Sequence, residues 1–167
     1  MPQISKKGAE LPQSAIRKLV PFADAAKERG IHVYHLNIGQ PDIETPKGAL
    51  AALADNARNL PQWKGVLEYS HSAGIPSYRR ALCNYYHRHG IDVTPNQIIV
   101  TTGGSEALQM AFTVCLNPGD EIIIPEPYYT NYNTFAKLCD AKIVTIPSDI
   151  KTGFALPPIE DFEKAIT

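Results

Sequence analysis

Short apolar runs alternate with helical segments between residues 98 and 146, and this alternation constrains the fold more than any other feature. The runs 98–101, 122–124 and 142–146 are predicted strands, and segments 105–116 and 132–138 have helical spacing. Strands joined through a helix run parallel, and parallel sheets are covered by helices on both faces. The sequence therefore predicts an α/β fold with a mostly parallel sheet, which three strands leave incomplete.

Turn-forming residues delimit the other predicted elements. A helix capped by Ser14 is predicted to end near Gly30, and Pro76 and Gly90 stand at the two ends of another. The run 32–38 has the character of a short strand.

Composition excludes several classes of function. Lys plus Arg is 16 and Asp plus Glu is 17, so the formal net charge of -1 gives no bulk attraction for nucleic acid. No apolar run approaches the roughly 18 residues of a membrane span, and the N-terminus lacks a signal-peptide core. Cys83, Cys115 and Cys139 lie in apolar surroundings and are predicted to be buried thiols of a cytoplasmic protein. No Cys or His spacing indicates a metal site.

One segment predicts an anion site. Gly103, Gly104 and Ser105 follow a predicted strand and begin a predicted helix. The N–H groups of a helix start attract anions, and glycines allow close approach to the backbone. A tight turn with Ser105 as the helix N-cap explains the same residues equally well.

Three further positions have weaker local signals. Tyr129 follows the second predicted strand, where loops line the ligand crevice of α/β sheets. Tyr69 lies in a polar, turn-rich segment, and Gly39 lies in a turn. Taken alone, each is better explained as an ordinary surface or turn residue. Arg79 and its neighbours Arg80 and Arg88 are predicted to form a solvated helix face.

Five motifs, in order and with matching spacing, resemble one family over almost the whole chain. They are Leu36-Asn37-Ile38-Gly39-Gln40-Pro41-Asp42 with Thr45-Pro46; Tyr69 with Ser72-Ala73-Gly74-Ile75-Pro76; Thr101-Thr102-Gly103-Gly104-Ser105-Glu106-Ala107-Leu108; Pro118-Gly119-Asp120-Glu121; and Pro125-Glu126-Pro127-Tyr128-Tyr129. Together they resemble the class I aminotransferases, fold-type I enzymes of pyridoxal 5′-phosphate (PLP), and most closely the bacterial aspartate branch.

The resemblance implies a cofactor role for five residues. Gly103, Gly104 and Ser105 match the family's phosphate-binding turn. Tyr129 matches the aromatic residue that stacks on the pyridine ring, where many relatives have tryptophan. Tyr69 matches a tyrosine that reaches the cofactor phosphate of the neighbouring subunit, which implies a homodimer.

The resemblance also implies amino-acid and 2-oxo-acid substrates, with aspartate as the default. Gly39 matches the position near the substrate α-carboxylate, and Tyr129 is also expected to line the substrate site. Gln40 stands where many relatives have glutamate. In domain terms, residues 1–45 would be an N-terminal arm with a small-domain segment, and residues 46–167 the first, truncated part of the large PLP-binding domain.

The family's catalytic residues do not match any position of this chain. None of its lysines has the context of the lysine that anchors PLP, so no catalytic residue is assigned and the chain is expected to be an N-terminal portion. Two alternatives stay open: a non-catalytic or ligand-sensing PLP-fold module, and a PLP carbon–sulfur lyase.

The 167-residue chain alone is predicted to be inactive, because the lysine that moves the proton is missing from it. An assay with aspartate and 2-oxoglutarate should give no turnover. The intact mass, expected near 18.3 kDa, verifies that the assayed species is this chain. Turnover by a species of that mass would contradict the prediction.

Overall fold

The computed structural model describes residues 3–39, 41–59 and 69–167, which form two compact units. The first comprises Met1–Asn37 and Thr102–Thr167, and the second Ile38–Thr101. In chain order the elements are α1 (Lys6–Glu10), α2 (Val20–Glu28), α3 (Lys47–Asn59), α4 (Pro76–His87), α5 (Gly104–Cys115), β1 (Glu121–Glu126), α6 (Asn131–Leu138), β2 (Lys142–Pro147) and α7 (Ile159–Ala165). The division at residue 45 inferred from the resemblance stays a prediction.

A parallel strand pair with a helical crossover forms the centre of the first unit. β1 and β2 pair in parallel from Glu121 opposite Lys142 to Glu126 opposite Pro147, and α6 connects them. The parallel arrangement predicted for the runs 122–124 and 142–146 is therefore confirmed.

The predicted strand at 98–101 is wrong in the described part of the chain. Ile98 is buried, but Ile99 is 67% exposed, and the Val100 N–H donates to the Ala73 carbonyl at 3.0 Å. Because that bond goes to a loop, no strand ladder forms there. The run 32–38 is likewise not a strand, and its Leu36 is 95% exposed.

The core of the first unit lies where α5 meets α6. Phe112, Phe135 and Ala136 are buried together, and the two phenyl rings meet edge to face with centroids 6.2 Å apart. Partly buried side chains surround them: Leu108, Leu116, Ile122, Tyr132, Cys139, Ala141 and Ile143. This packing holds both helices against the strands.

Burial in this unit does not follow local apolar character. Helix α5 is apolar on nearly all sides, yet its Val114 is 84% exposed because only the face that carries Phe112 meets α6. The predicted burial of the cysteines is also corrected. Cys83, Cys115 and Cys139 are free thiols, but Cys115 is exposed and the other two are half-buried. An apolar local sequence alone did not determine which side faces the core.

In the second unit, α4 packs on the turn that precedes Ile98. Arg79 is 9% exposed and its Nη1 donates to the Pro95 carbonyl at 2.9 Å, so the prediction of a solvated arginine here is wrong. The arginine is buried because Pro95 begins a short 3-10 turn that packs directly beside the helix. Arg80 and Arg88 are exposed, as expected.

Gly74 packs directly against Val100 in the same unit. Its φ is +98°, and a Cβ at this position would collide with the Val100 side chain. A larger residue would therefore disturb the bond from the Val100 N–H to Ala73.

We predict that Gly74→Ala destabilises this unit by roughly 1–3 kcal/mol, because alanine adds both a strained φ and a steric overlap. Hydrogen exchange at the Val100 amide should become about 5- to 150-fold faster, the equivalent of that free energy. Gly48→Ala is the matched control, since no atom lies within 4 Å of a Cβ at this position in α3. Unchanged exchange in Gly74→Ala would contradict the prediction.

Candidate functional site

The glycine turn before α5 has the backbone that the sequence suggested, with a different cap. Gly103 is the N-cap with φ 116° and ψ 173°, and Gly104 is the first helical residue. Ser105 is therefore the second residue of α5, and its predicted role as the N-cap is wrong. A backbone φ of this sign favours glycine, and among the described residues no atom beyond the adjoining backbone lies within 4 Å of a Cβ at Gly103 or Gly104.

The start of α5 presents polar groups to open space. The helix ladder begins with the Ala107 N–H, which donates to the Gly103 carbonyl at 3.3 Å. The N–H groups of Gly104 and Ser105 precede that bond, and the Ser105 side chain is exposed beside them. Donors in this arrangement, with the positive end of the helix dipole, suit an anion.

Glu106 closes the turn from the other side. Its carboxylate accepts a hydrogen bond from the Thr102 N–H at 2.5 Å. Glu106 is the third residue after the N-cap, but its partner is the N–H that precedes the cap, and a glycine N-cap has no side chain to complete a capping box. The sequence therefore has no capping-box signature for this contact. The bond fixes the backbone on either side of Gly103.

Tyr129 lies between β1 and α6, after a cis peptide bond at Glu126–Pro127. Its side chain is 47% exposed, and its ring meets the Tyr132 ring nearly at a right angle with centroids 5.9 Å apart. The Asn131 Nδ2 donates to the Tyr129 hydroxyl at 2.6 Å. The sequence gave no signal for this asparagine contact.

Tyr132 connects Tyr129 to the core. The Tyr132 ring is nearly parallel to that of Tyr128, at 6.1 Å and 16°, and lies 6.4 Å from that of Phe112. The Tyr128 hydroxyl donates to Asn133 Oδ1 at 3.1 Å. Tyr129 is therefore the exposed member of an aromatic group whose other members are packed.

The remaining predicted positions lie in the second unit. The Tyr69 side chain is fully exposed, and Gly39 has no atom within 4 Å of a Cβ position. Gln40 lies outside the described residues. The structure thus brings Gly103–Ser105 and Tyr129 into one unit, and Tyr69 and Gly39 belong to the other.

A cavity of about 600 Å³ lies on the outer side of α6. Ser14, Tyr128, Asn131 and Lys137 are among its lining residues, whereas Tyr129 and the glycine turn are not.

In residues 3–39, 41–59 and 69–167, no group of three His, Cys, Asp or Glu side chains could hold a metal ion. Within those same residues, no helix is long and apolar enough to span a membrane.

Comparison with known proteins assigns the chain to a family. The family model for aminotransferase class I and II matches residues 31–166. The chain belongs to this family. The match includes the glycine turn, Tyr129, Tyr69 and Gly39.

Individual aminotransferases are similar at the level of both sequence and structure. An aspartate/prephenate aminotransferase of Cereibacter sphaeroides is 40% identical over 139 residues, which is 83% of this chain and 33% of the relative. A Thermus thermophilus aspartate aminotransferase mutant superposes with a TM-score of 0.87 at 32% identity, over 100% of this chain and 42% of that one. An alanine aminotransferase from Pyrococcus furiosus gives 0.87 at 33% identity, over 99% and 41%.

The chain spans about a third of the length of the curated relatives, between 33% and 37% for three of them. The superposed structures are aminotransferases, so the α/β fold expected from the resemblance is confirmed, as the N-terminal portion of such a fold. The family match likewise confirms the resemblance itself.

The contact between Glu106 and Thr102 gives a test of the turn. We predict that Glu106→Ala lowers the free energy of unfolding by about 1 kcal/mol, because the hydrogen bond from the Thr102 N–H to the carboxylate is lost. Glu106→Gln keeps an acceptor oxygen and should cost less than half as much. Urea unfolding followed by circular dichroism measures both. Equal losses for the two variants would show that charge, and not the hydrogen bond, stabilises the turn.

Proposed function

We propose that this chain is the part of a PLP-dependent aminotransferase that holds the cofactor's phosphate and stacks on its ring. The observation that carries the proposal is the Gly103–Gly104 turn at the start of α5, open on its outer side. Membership of the aminotransferase family supports the choice of PLP over other phosphorylated ligands.

The residues present fit such a cofactor. The backbone N–H groups of Gly104 and Ser105 and the Ser105 hydroxyl would donate to phosphate oxygens. Gly103 gives the chain its turn, and the absence of a side chain there leaves room for the phosphate. The half-exposed Tyr129 ring would lie against the pyridine ring.

The reaction proposed for the native protein is amino-group transfer between an amino acid and a 2-oxo acid. PLP supplies the electron sink for this chemistry when bound. The residues of this chain bind and orient; we assign none of them a proton-transfer step. From the resemblance, Gly39 is proposed to contact the substrate α-carboxylate, and Tyr129 is proposed to line the substrate site. Aspartate is the proposed amino donor, because relatives named for aspartate recur among the matches.

A homodimer is part of the proposal. The fully exposed Tyr69 side chain is available to a second subunit, in keeping with the role that the resemblance implies. The cytoplasmic location expected from the sequence stays a prediction.

Two probes separate the phosphate contact from the ring contact: inorganic phosphate and PLP. We predict that Ser105→Ala lowers the affinity for both probes by about 2- to 10-fold, since one hydrogen bond to a charged group is lost. Tyr129→Ala should lower the affinity for PLP by a similar factor and leave the affinity for phosphate unchanged, because stacking needs the aromatic ring. Isothermal titration calorimetry measures the affinity for phosphate, and the absorbance of PLP measures the affinity for PLP.

Tyr128→Phe is the matched control, since Tyr128 packs on Tyr132 and is not assigned to the ligand. It should bind both probes like the unchanged chain. Equal loss of phosphate and PLP affinity in Tyr129→Ala would contradict the stacking role.

For the reaction itself, the native protein purified from its source should transfer the amino group of aspartate to 2-oxoglutarate.

A further inference from the structure

We propose that Asn131 is a positioning residue for Tyr129, and that it fixes the angle at which the phenol ring meets a stacked ligand. The inference deepens the proposed function and rests on it for the identity of that ligand. The contact that carries it is the 2.6 Å hydrogen bond from Asn131 Nδ2 to the Tyr129 hydroxyl.

Tyr129 is fixed at three points along its length. Its backbone carbonyl accepts from the Tyr132 N–H at 3.0 Å, and its ring meets the Tyr132 ring at 83°. The asparagine amide then holds the far end of the phenol. A perpendicular neighbour can cover at most one face of a ring, and Tyr129 is 47% exposed, so part of this side chain stays accessible to a ligand.

Asn131 is well placed for this task because it is itself constrained. It is the first residue of α6, so its backbone is set by the helix, and its side chain is half-buried. A ring held in this way needs no reorientation when a planar ligand arrives. Preorganisation of this kind raises affinity by reducing the freedom lost on binding.

A second tyrosine–asparagine pair differs in the one respect that matters. Tyr128 donates to Asn133 at 3.1 Å, but the Tyr128 ring is stacked on Tyr132 at 16°. This pair joins the same two side-chain types, although here the tyrosine hydroxyl is the donor, and its ring is less exposed, so we assign it to packing. It is a matched control for the pair that carries the proposal.

The first arm of the test is a double-mutant cycle on PLP affinity. Asn131→Ala should weaken PLP binding by about 2- to 10-fold, because the freed Tyr129 side chain must then be ordered when the ligand binds. In a Tyr129→Phe or Tyr129→Trp background, which lacks the hydroxyl, Asn131→Ala should change nothing further. Asn133→Ala should leave PLP affinity unchanged. An undiminished effect of Asn131→Ala in the Tyr129→Phe background would overturn the proposal.

The second arm uses no ligand, and it separates this proposal from the proposed function. In nuclear magnetic resonance spectra, Tyr129→Phe should shift the Asn131 side-chain amide signals, and Tyr128→Phe should shift only those of Asn133. Unchanged backbone amide signals elsewhere verify the fold. If Tyr129→Phe leaves the Asn131 signals in place, the positioning role is overturned. If the unsubstituted chain takes up no PLP, the proposed function is contradicted, and this arm alone decides the role of Asn131.

Discussion

The packing of Phe112 on Phe135 is the contact on which the first unit and its candidate site depend. It joins α5 to α6, and each of these helices has one part of the site at its N-terminal end. The glycine turn leads into α5, and Tyr129 comes two residues before the first residue of α6. Because the core ties both helices to the parallel strands, the same apolar contact that stabilises the fold also holds the turn and the ring in place.

Polar contacts then refine what the core holds. Glu106 fixes the backbone around the turn through the Thr102 N–H, and Asn131 fixes the phenol of Tyr129. Both contacts lie within four residues of the group they hold, so they arise as soon as the local helix forms. The core therefore determines where the two helices lie, and short-range hydrogen bonds determine how their first residues are oriented.

A feature was predicted correctly from the sequence where residues nearby in the chain determine it, and was missed where a contact with a distant residue determines it. The strands at 122–124 and 142–146 and the helices between turn residues were predicted correctly, because periodicity and proline or glycine specify them locally. The strand at 98–101 was wrong because its Val100 N–H is bonded to a distant loop. The burial of Arg79 was missed for the same reason, since its partner is the Pro95 carbonyl and helix periodicity does not report such a contact. In the candidate site, the turn before α5 was predictable from its two glycines, whereas the asparagine that is hydrogen-bonded to Tyr129 had no sequence signature.

The charge distribution explains why the ring matters as much as the turn. No Lys or Arg occurs between residues 89 and 136, and the nearest charged side chain to the turn in sequence is the carboxylate of Glu106. The donors that the start of α5 itself offers to an anion are neutral N–H and hydroxyl groups, together with the helix dipole, whose effect fades within the first turn. The carboxylate opposes that attraction, and at physiological ionic strength charges beyond about 8 Å are largely screened. Phosphate contacts from this chain alone are thus expected to be weak, so stacking on a preoriented Tyr129 has to supply much of the selectivity for a phosphorylated aromatic ring over phosphate itself.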